Sequence, residues 1–215
     1  MIVPAILTDK KEEFIKMMSR CSEFCDYVQI DIMDEKFVPS RSITKKDLEN
    51  LRFPLKIEAH LMVEDPLEWI DVFKQFGSFR IIFHYEIKRN RKEIIEKIKE
   101  KNLEVGLAIN PSTFLDEFIS YCEDVDSFLF MSVNPGFYGS PFIPQVLEKI
   151  KLFKRMYPLK MVGIDGGIKL YNLKEVIGSG VDYICVGSAI FKKNNFKEAY
   201  LKFKKELEKT KKING

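Results

Sequence analysis

Acidic and histidine side chains interrupt stretches that otherwise have the apolar character of buried strands. The stretch YVQIDIMDEKFVP carries Gln29, Asp31 and Met33 at alternate positions. Successive side chains of a strand point to opposite faces, so these three residues share one face. His60 and Asp165 stand in two further apolar stretches, KIEAHLM and MVGIDGG. Carboxylate and imidazole groups transfer protons and bind divalent metals, so these positions are candidates for acid–base or metal chemistry.

Each candidate has a plainer interpretation when it is considered alone. An Asp at a strand end often caps the next helix, and a single His is usually a hydrogen-bonded core residue. Convergence of Asp31, His60 and Asp165 from three strands is harder to explain in this way. Two carboxylates that face one site repel each other, which raises the pKa of one of them unless a cation or a substrate intervenes. Acid–base pairs and metal sites both use this arrangement.

Eight apolar runs rich in β-branched residues predict the strands that must position these side chains. The runs cover 2–7, 27–33, 55–62, 79–86, 103–110, 127–134, 160–167 and 183–190. Segments with apolar residues three and four apart lie between the runs and predict helices. Strict alternation of strand and helix predicts parallel βαβ units, and eight units fit a single-domain (β/α)8 TIM barrel over residues 1–215. An open doubly wound sheet is the competing fold, but PAILTDKKEEF contains no glycine for the GxGxxG dinucleotide motif.

The mouth of such a barrel, at the C-terminal ends of its strands, is where active sites are built. Asp31, His60 and Asp165 are predicted to meet there. The turns DGGIK after strand seven and VGSAIF after strand eight predict a phosphate site, because backbone N–H groups of such turns bind anions. The residues assigned to this site are Gly166, Gly167, Gly187 and Ser188. Ordinary turn glycines are the alternative explanation.

The segment NPGFYGSPF, which follows strand six, is unusually apolar for a surface loop. Gly136 and Gly139 are predicted hinges of a lid that excludes water from the site. We expect Gly136, Phe137, Tyr138 and Gly139 to contact the substrate.

Composition excludes several classes of function. The chain has 35 Lys and Arg against 32 Asp and Glu, a formal net charge of +3, which does not favour a nucleic-acid partner. Its apolar runs are shorter than the roughly 20 residues that span a bilayer. The start, MIVPAILTD, lacks the features of a signal peptide. We therefore expect a cytoplasmic protein without a membrane partner, whose four cysteines are reduced.

Taken together, these motifs resemble those of the ribulose-phosphate 3-epimerase family. The similar stretches are PAIL, DIMDEKFVP, AHLMVEDP, LAINPST, MSVNPGF, DGGI and VGSAIF. The resemblance implies one ribulose-phosphate-binding barrel domain that inverts C3 of D-ribulose 5-phosphate reversibly to give D-xylulose 5-phosphate. Inversion beside a carbonyl requires removal of a proton on one face and delivery of a proton on the other. Asp31 and Asp165 suit these two roles.

The resemblance further implies a divalent metal, either zinc, manganese, iron or magnesium, that stabilises the enediolate intermediate. Its ligands match Gln29, Asp31, His60 and Asp165, with His60 also near the substrate. The methionines of the family's site match Met33, Met62 and Met131, which would form a polarizable wall that excludes water. Family members often form dimers or larger rings, so we expect a homo-oligomer. His84 matches a family position, and we expect a core or second-layer role for it.

Four positions depart from the family's pattern: Ala5 replaces Ser, Gln29 replaces His, and Glu35 and Tyr138 each replace Gly. The amide oxygen of Gln is a poorer ligand for zinc or iron(II) than imidazole, although manganese and magnesium tolerate it. We therefore expect weak metal binding, or none if the amide donates directly to the substrate. Ala5 removes a hydroxyl contact worth on the order of 1 kcal/mol. The alternatives are a 3-epimerase of another ketose phosphate, such as allulose 6-phosphate, and a non-catalytic phosphosugar-binding relative without a metal.

Overall fold

Eight parallel strands close into a barrel in chain order, so that β1 pairs with both β2 and β8. We describe the fold from a computed structural model, which covers residues 1–136 and 140–214. The strands are β1 Ile2–Ile6, β2 Tyr27–Met33, β3 Lys56–Met62, β4 Ser78–His84, β5 Glu104–Ile109, β6 Ser127–Met131, β7 Met161–Asp165 and β8 Tyr183–Val186. The predicted single-domain (β/α)8 barrel is confirmed.

Helices follow the strands and cover the outside of the barrel. They are α1 Lys11–Cys21, α2 Lys45–Leu48, α3 Leu67–Phe76, α4 Arg91–Glu100, α5 Leu115–Phe118, α6 Val146–Met156, α7 Leu173–Gly178, α8 Ser188–Phe191 and α9 Phe196–Asn214, with a 3-10 turn at Ile119–Tyr121. Within the part of the chain that the structure describes, no helix is both long and apolar enough to cross a membrane. The four cysteines are buried and unpaired, as predicted.

Both faces of strand β2 are buried, one against the helices and the other inside the barrel. Val28, Ile30 and Ile32 are fully buried in the large apolar core between the strands and the helices. Gln29 and Asp31 alternate with them, so they point into the barrel, where they too are buried. In a barrel that is covered by helices, the second face of a strand fills the interior. The polar face of β2 is therefore an interior face.

An ion-pair network lies near the N-terminal ends of the strands, with Glu58 and Arg80 buried inside the barrel and the Glu104 side chain 45% exposed. Arg80 donates to Glu58 at 3.2 Å and to Glu104 at 2.6 Å, and the Tyr27 hydroxyl also donates to Glu58. Glu58 is completely buried, and Arg80 is 4% exposed. Side chains therefore close this end of the barrel, and the interior opens at the C-terminal ends of the strands.

The predicted strand over 183–190 is too long, because β8 ends at Val186. Gly187 has φ −94° and ψ −93°, and Ser188 begins the short helix α8. An apolar run such as this one has no periodicity that separates a strand from a buried helix. Likewise β7 ends at Asp165, after which Gly166 and Gly167 turn the chain with φ of +112° and +64°. These two turns place the glycines at the barrel mouth.

Candidate active site

Strands β2, β3 and β7 bring Asp31, His60 and Asp165 together at the barrel mouth. Asp31 and His60 are direct partners in the register of β2 and β3. One ligand atom from each of the three residues lies within 4.8 Å of the others. The convergence predicted from strand alternation is thus present in the folded chain.

Gln29 lies deeper in the barrel, and its side-chain amide joins the two carboxylates. Its Nε2 donates to Asp31 Oδ1 at 2.8 Å and to Asp165 Oδ2 at 2.7 Å. Its Oε1 accepts a hydrogen bond of 3.0 Å from the Cys185 thiol. The amide therefore turns its donor end toward the carboxylates and its oxygen away from them. Sequence reasoning missed Cys185, because a cysteine in an apolar strand carries no signal of such a contact.

Electrostatics in this cluster depart from those of isolated side chains. Burial is the main cause that raises the pKa of Asp31, and the nearby Asp165 adds to it. Burial alone would lower the pKa of His60, but hydrogen bonds and charges from Asp165 and Asp31 outweigh it and raise the pKa to about 9. Shifted pKa values of this kind are typical of acid–base sites.

Asp31, His60 and Asp165 could hold a divalent metal ion. Two carboxylates and an imidazole suit the borderline and harder divalent cations. His60 Nδ1 lies 3.0 Å from Asp31 Oδ1 and 3.5 Å from Asp165 Oδ2, so this nitrogen and two carboxylate oxygens face one point. Gln29 presents N–H groups there, and it would become a ligand only if the amide rotated. The chain thus offers three metal ligands, and the fourth candidate, Gln29, has its amide nitrogen and not its oxygen directed toward the site.

A second layer lies behind His60. Its Nε2 is 2.9 Å from Nε2 of His84, whose Nδ1 lies 3.3 Å from Glu86 Oε2. Both histidines are completely buried. The sequence predicted a core or second-layer position for His84, which this contact matches, but it did not single out Glu86.

Three methionines wall the pocket above the carboxylates. Met33, Met62 and Met131 are each at most 6% exposed, and all three line the pocket together with Asp31 and Asp165. Met33 and Met62 are register partners. His60, which we expected near the substrate, lies fully buried below the carboxylates and does not line this pocket.

Gly166, Gly167, Gly187 and Ser188 line the same pocket as the carboxylates. A Cβ atom on Gly166 would lie 2.5 Å from Val133 Cγ2, so only glycine fits this turn without displacement. Lys169, which sequence reasoning missed, donates from Nζ to Ser188 Oγ at 2.6 Å. The pocket therefore has a carboxylate end and an end formed by backbone turns, behind which Lys169 bonds to the lining residue Ser188.

The loops after β2 and β6 contact each other at the rim. Gly136 has φ +112° and packs on Val38 and Pro39, where a Cβ atom would lie 2.8 Å from Pro39 Cδ. Gly136 also lines the pocket. The other residues predicted to contact substrate in this segment, Phe137, Tyr138 and Gly139, lie outside the described residues. Glu35 has φ +61°, a backbone conformation in which the glycine of the family's pattern would be unstrained.

Comparison with known proteins identifies the family of this chain. The model of the ribulose-phosphate 3 epimerase family matches residues 1–191. Ribulose-phosphate 3-epimerase from Schizosaccharomyces pombe is 32% identical over 88% of this chain and 86% of its own length. The enzyme of that name from Escherichia coli (strain K12) is 34% identical over 86% of this chain and 85% of its own.

Solved structures with low identity share the fold. KGPDC from Streptococcus mutans superposes with a TM-score of 0.77 at 17% identity, over 97% of both chains. The 3-hexulose-6-phosphate synthase from Salmonella typhimurium has a TM-score of 0.71 at 15% identity, over 97% of this chain and 99% of its own. These likenesses concern the barrel alone. The family match and the two relatives go further, and they show that this chain belongs to the ribulose-phosphate 3 epimerase family, a family of isomerases.

Proposed function

We propose that the protein inverts C3 of D-ribulose 5-phosphate reversibly to give D-xylulose 5-phosphate. One observation carries the proposal: Asp31 and Asp165 line one pocket together with the glycine turns after β7 and β8. The side-chain nitrogen of Gln29 donates a hydrogen bond to each of the two carboxylates and so holds them close together. A ketose phosphate carries its reactive carbon and its phosphate at different points along one short chain. The pocket offers carboxylates for the reactive carbon and glycine turns for the phosphate.

Two carboxylates suffice for the proton transfers. The C2 carbonyl acidifies the proton on C3, so one ionised carboxylate removes that proton and leaves an enediolate. The other carboxyl group, in its protonated form, delivers a proton to the opposite face of C3, and the roles reverse for the reverse reaction. Burial and the charge of Asp165 raise the pKa of Asp31, which favours the protonated form of this carboxyl group relative to an isolated Asp.

Negative charge on the enediolate oxygens has to be stabilised. A divalent metal held by Asp31, His60 and Asp165 would supply positive charge at those oxygens. Both N–H groups of the Gln29 amide already donate to Asp31 and Asp165, so Gln29 acts on the enediolate through these two acids. Met33, Met62 and Met131 cover the site with apolar surface, which limits exchange of the transferred protons with water.

The phosphate is assigned to the turns after β7 and β8. Gly166, Gly167, Gly187 and Ser188 bring backbone close to the pocket, and N–H groups at the start of a helix attract anions. The ammonium group of Lys169, bonded to Ser188 Oγ, adds a full positive charge beside them. The charge of Lys169 thus supports a phosphate at this end.

Exchange of the C3 proton with deuterated water tests the proposal directly. Native protein should exchange the C3 proton of ribulose 5-phosphate and form xylulose 5-phosphate. Asp31→Asn and Asp165→Asn should each lower inversion by at least about a thousandfold, because each removes one of two required proton carriers. Circular dichroism and thermal unfolding should show that both variants remain folded.

The same assay separates the rival functions. A phosphosugar-binding protein without catalysis would show no C3 exchange with any added divalent metal. If kcat/KM is higher for a hexulose phosphate, such as allulose 6-phosphate, than for ribulose 5-phosphate, the proposed substrate is wrong and the proton-transfer mechanism still holds.

A further inference from the structure

We propose that His84 and Glu86 are positioning residues that fix the tautomer of His60, so that Nδ1 of His60 faces Asp31 and Asp165 as a metal donor. This inference rests on the metal site of the proposed function. It concerns the chain's own second layer, and it assigns roles to two residues that do not line the pocket.

The contacts form an unbroken line from the carboxylate cluster to the side of the barrel. His60 Nδ1 lies 3.0 Å from Asp31 Oδ1, and His60 Nε2 lies 2.9 Å from His84 Nε2. His84 Nδ1 lies 3.3 Å from Glu86 Oε2. The rings of the two histidines are 25° from parallel, with centroids 5.1 Å apart, and the Phe37 ring packs 4.9 Å from that of His84. Packing on both sides therefore restricts rotation of the His84 ring.

Glu86 anchors this line as a carboxylate. Its Oε1 accepts hydrogen bonds from the Asn110 backbone N–H at 2.8 Å and from Thr113 Oγ1 at 2.6 Å. Burial acts to raise the pKa of Glu86, but the contacts with His84, Thr113 and Asn110 outweigh burial and lower it. An ionised carboxylate accepts hydrogen bonds and donates none. Nδ1 of His84 must therefore carry a proton and donate it to Glu86.

The proton positions follow from this assignment. A neutral His84 with a proton on Nδ1 has an unprotonated Nε2, which can only accept. His60 must then donate to it from Nε2. A metal that binds His60 displaces any proton from Nδ1, and the lone pair left there points at Asp31 and Asp165 while the Nε2 proton stays bonded to His84. The opposite tautomer would place an N–H group there and could not bind a metal.

This arrangement has the form of the second layer that supports histidine ligands in metal sites, with one extra imidazole between carboxylate and ligand. Removal of such second-layer partners typically lowers metal affinity by about 10- to 100-fold. Here the loss of metal affinity should depend on the direction of the hydrogen bonds between Glu86, His84 and His60. A change in the volume of the residue 86 side chain alone should have little effect on metal affinity. Glu86→Gln tests that distinction, since it keeps the shape and can reverse the direction.

In Glu86→Gln the amide oxygen can still accept from Asn110 and Thr113, so Nε2 of the new amide faces His84. It would donate to Nδ1 of His84 and move the His84 proton to Nε2. His60 would then have to accept at Nε2 and carry its proton on Nδ1. We expect zinc affinity, measured on the metal-stripped full chain by chelator competition, to fall about 10- to 100-fold.

Thr113→Val is the matched control. It removes one hydrogen bond from Glu86 and leaves the carboxylate and the His84 contact in place, so zinc affinity should change less than about threefold. If both variants lowered zinc affinity equally, Glu86 would have only a structural role.

Nitrogen-15 NMR supplies a second readout without metal or substrate. The chain contains only two histidines, so a spectrum of protein labelled at the histidine ring nitrogens has four signals to assign. Native His84 should carry its proton on Nδ1, and the Glu86→Gln variant should carry it on Nε2. A native His84 protonated at Nε2, or unchanged zinc affinity in Glu86→Gln, would overturn the inference. Absence of C3 exchange in native protein that binds zinc would instead contradict the proposed function alone.

Discussion

Both the nitrogen and the oxygen of the Gln29 side-chain amide are hydrogen-bonded inside the barrel. The Nε2 end bonds to two carboxylates, and the Oε1 end accepts from the thiol of Cys185. Rotation of the amide would turn its oxygen toward the carboxylates, which is unfavourable unless a cation lies between them. The residue therefore holds the two acids together without a metal and competes with a metal for the same oxygens.

Gln29→His should bind zinc at least about tenfold more tightly than the native protein. The substitution removes the competing N–H groups and adds an imidazole, which is a better zinc ligand than an amide. Zinc content after dialysis and chelator competition on both proteins measure the change. Gln29→Met, which removes the amide and adds no nitrogen ligand, is the control and should gain less. Tight zinc binding at full occupancy in the native protein would contradict this expectation.

At the scale of elements, the turn after β7 and the short helix α8 build one end of the pocket together. Ser132, just after β6, donates to the backbone oxygens of Asp165 at 3.0 Å and of Gly166 at 2.6 Å. Asn172 donates to the Gly167 oxygen at 3.1 Å. These bonds hold the glycine turn in place, and Lys169 connects it to α8 through Ser188. Geometry at this end thus depends on three separate loops.

Lys169→Met should raise KM for ribulose 5-phosphate about tenfold and change kcat less than about threefold. The lysine would bond the phosphate, which does not react, so its loss removes equal binding energy from the ground state and the transition state. A charge-assisted hydrogen bond worth about 1.5 kcal/mol corresponds to roughly this factor.

Steady-state kinetics on Lys169→Met and on Lys174→Met, an exposed lysine of α7, measure the difference. Inhibition by inorganic phosphate should weaken in the first variant alone. An unchanged KM in Lys169→Met would remove this lysine from the phosphate site.

For the whole molecule, closure of the barrel buries charge at the end opposite to the site. Glu58 and Arg80 form an ion pair in the interior, and Tyr27 bonds to the same carboxylate. Burial raises the pKa of Glu58 to about 7, even though Arg80 and Tyr27 act to lower it. We assign this ion pair a role in the stability of the barrel.

Arg80→Met should lower the free energy of unfolding by about 3 kcal/mol near pH 8, because a buried carboxylate loses its cation. Loss of the cation raises the folded-state pKa of Glu58 further above its unfolded value. The stabilising effect of protonated Glu58 is present at low pH and is lost as pH rises through the folded-state pKa, so the deficit should be smaller near pH 5.

Urea denaturation at both pH values measures the deficit of Arg80→Met. The double variant Glu58→Gln with Arg80→Met should be more stable than Arg80→Met near pH 8. Lys97→Met, which breaks an exposed pair with Glu100, should cost less than about 0.5 kcal/mol. Equal deficits near pH 5 and pH 8 would contradict the role of Glu58 ionisation.

Strand alternation was enough to predict the convergence of Asp31, His60 and Asp165, because each occupies an interior position near the C-terminal end of its strand. The partners of these residues were not predictable in the same way. Cys185 is 156 positions from Gln29 in the chain, and Glu86 bonds to Asn110 and Thr113 from the next loop. Contacts of this kind depend on register and loop path, which single-chain periodicity does not encode.

The sequence by itself determined the barrel, the strands that carry Asp31, His60 and Asp165, the glycine turns and the likeness to one family of isomerases. Periodicity, glycine placement and motifs are local properties, so they can be found in the chain before it folds. Only the tertiary structure decided the directions of the hydrogen bonds: which end of the Gln29 amide faces the carboxylates, and which nitrogen of His60 faces His84. Direction depends on partner atoms about 3 Å away, and these partners come together only when the barrel closes.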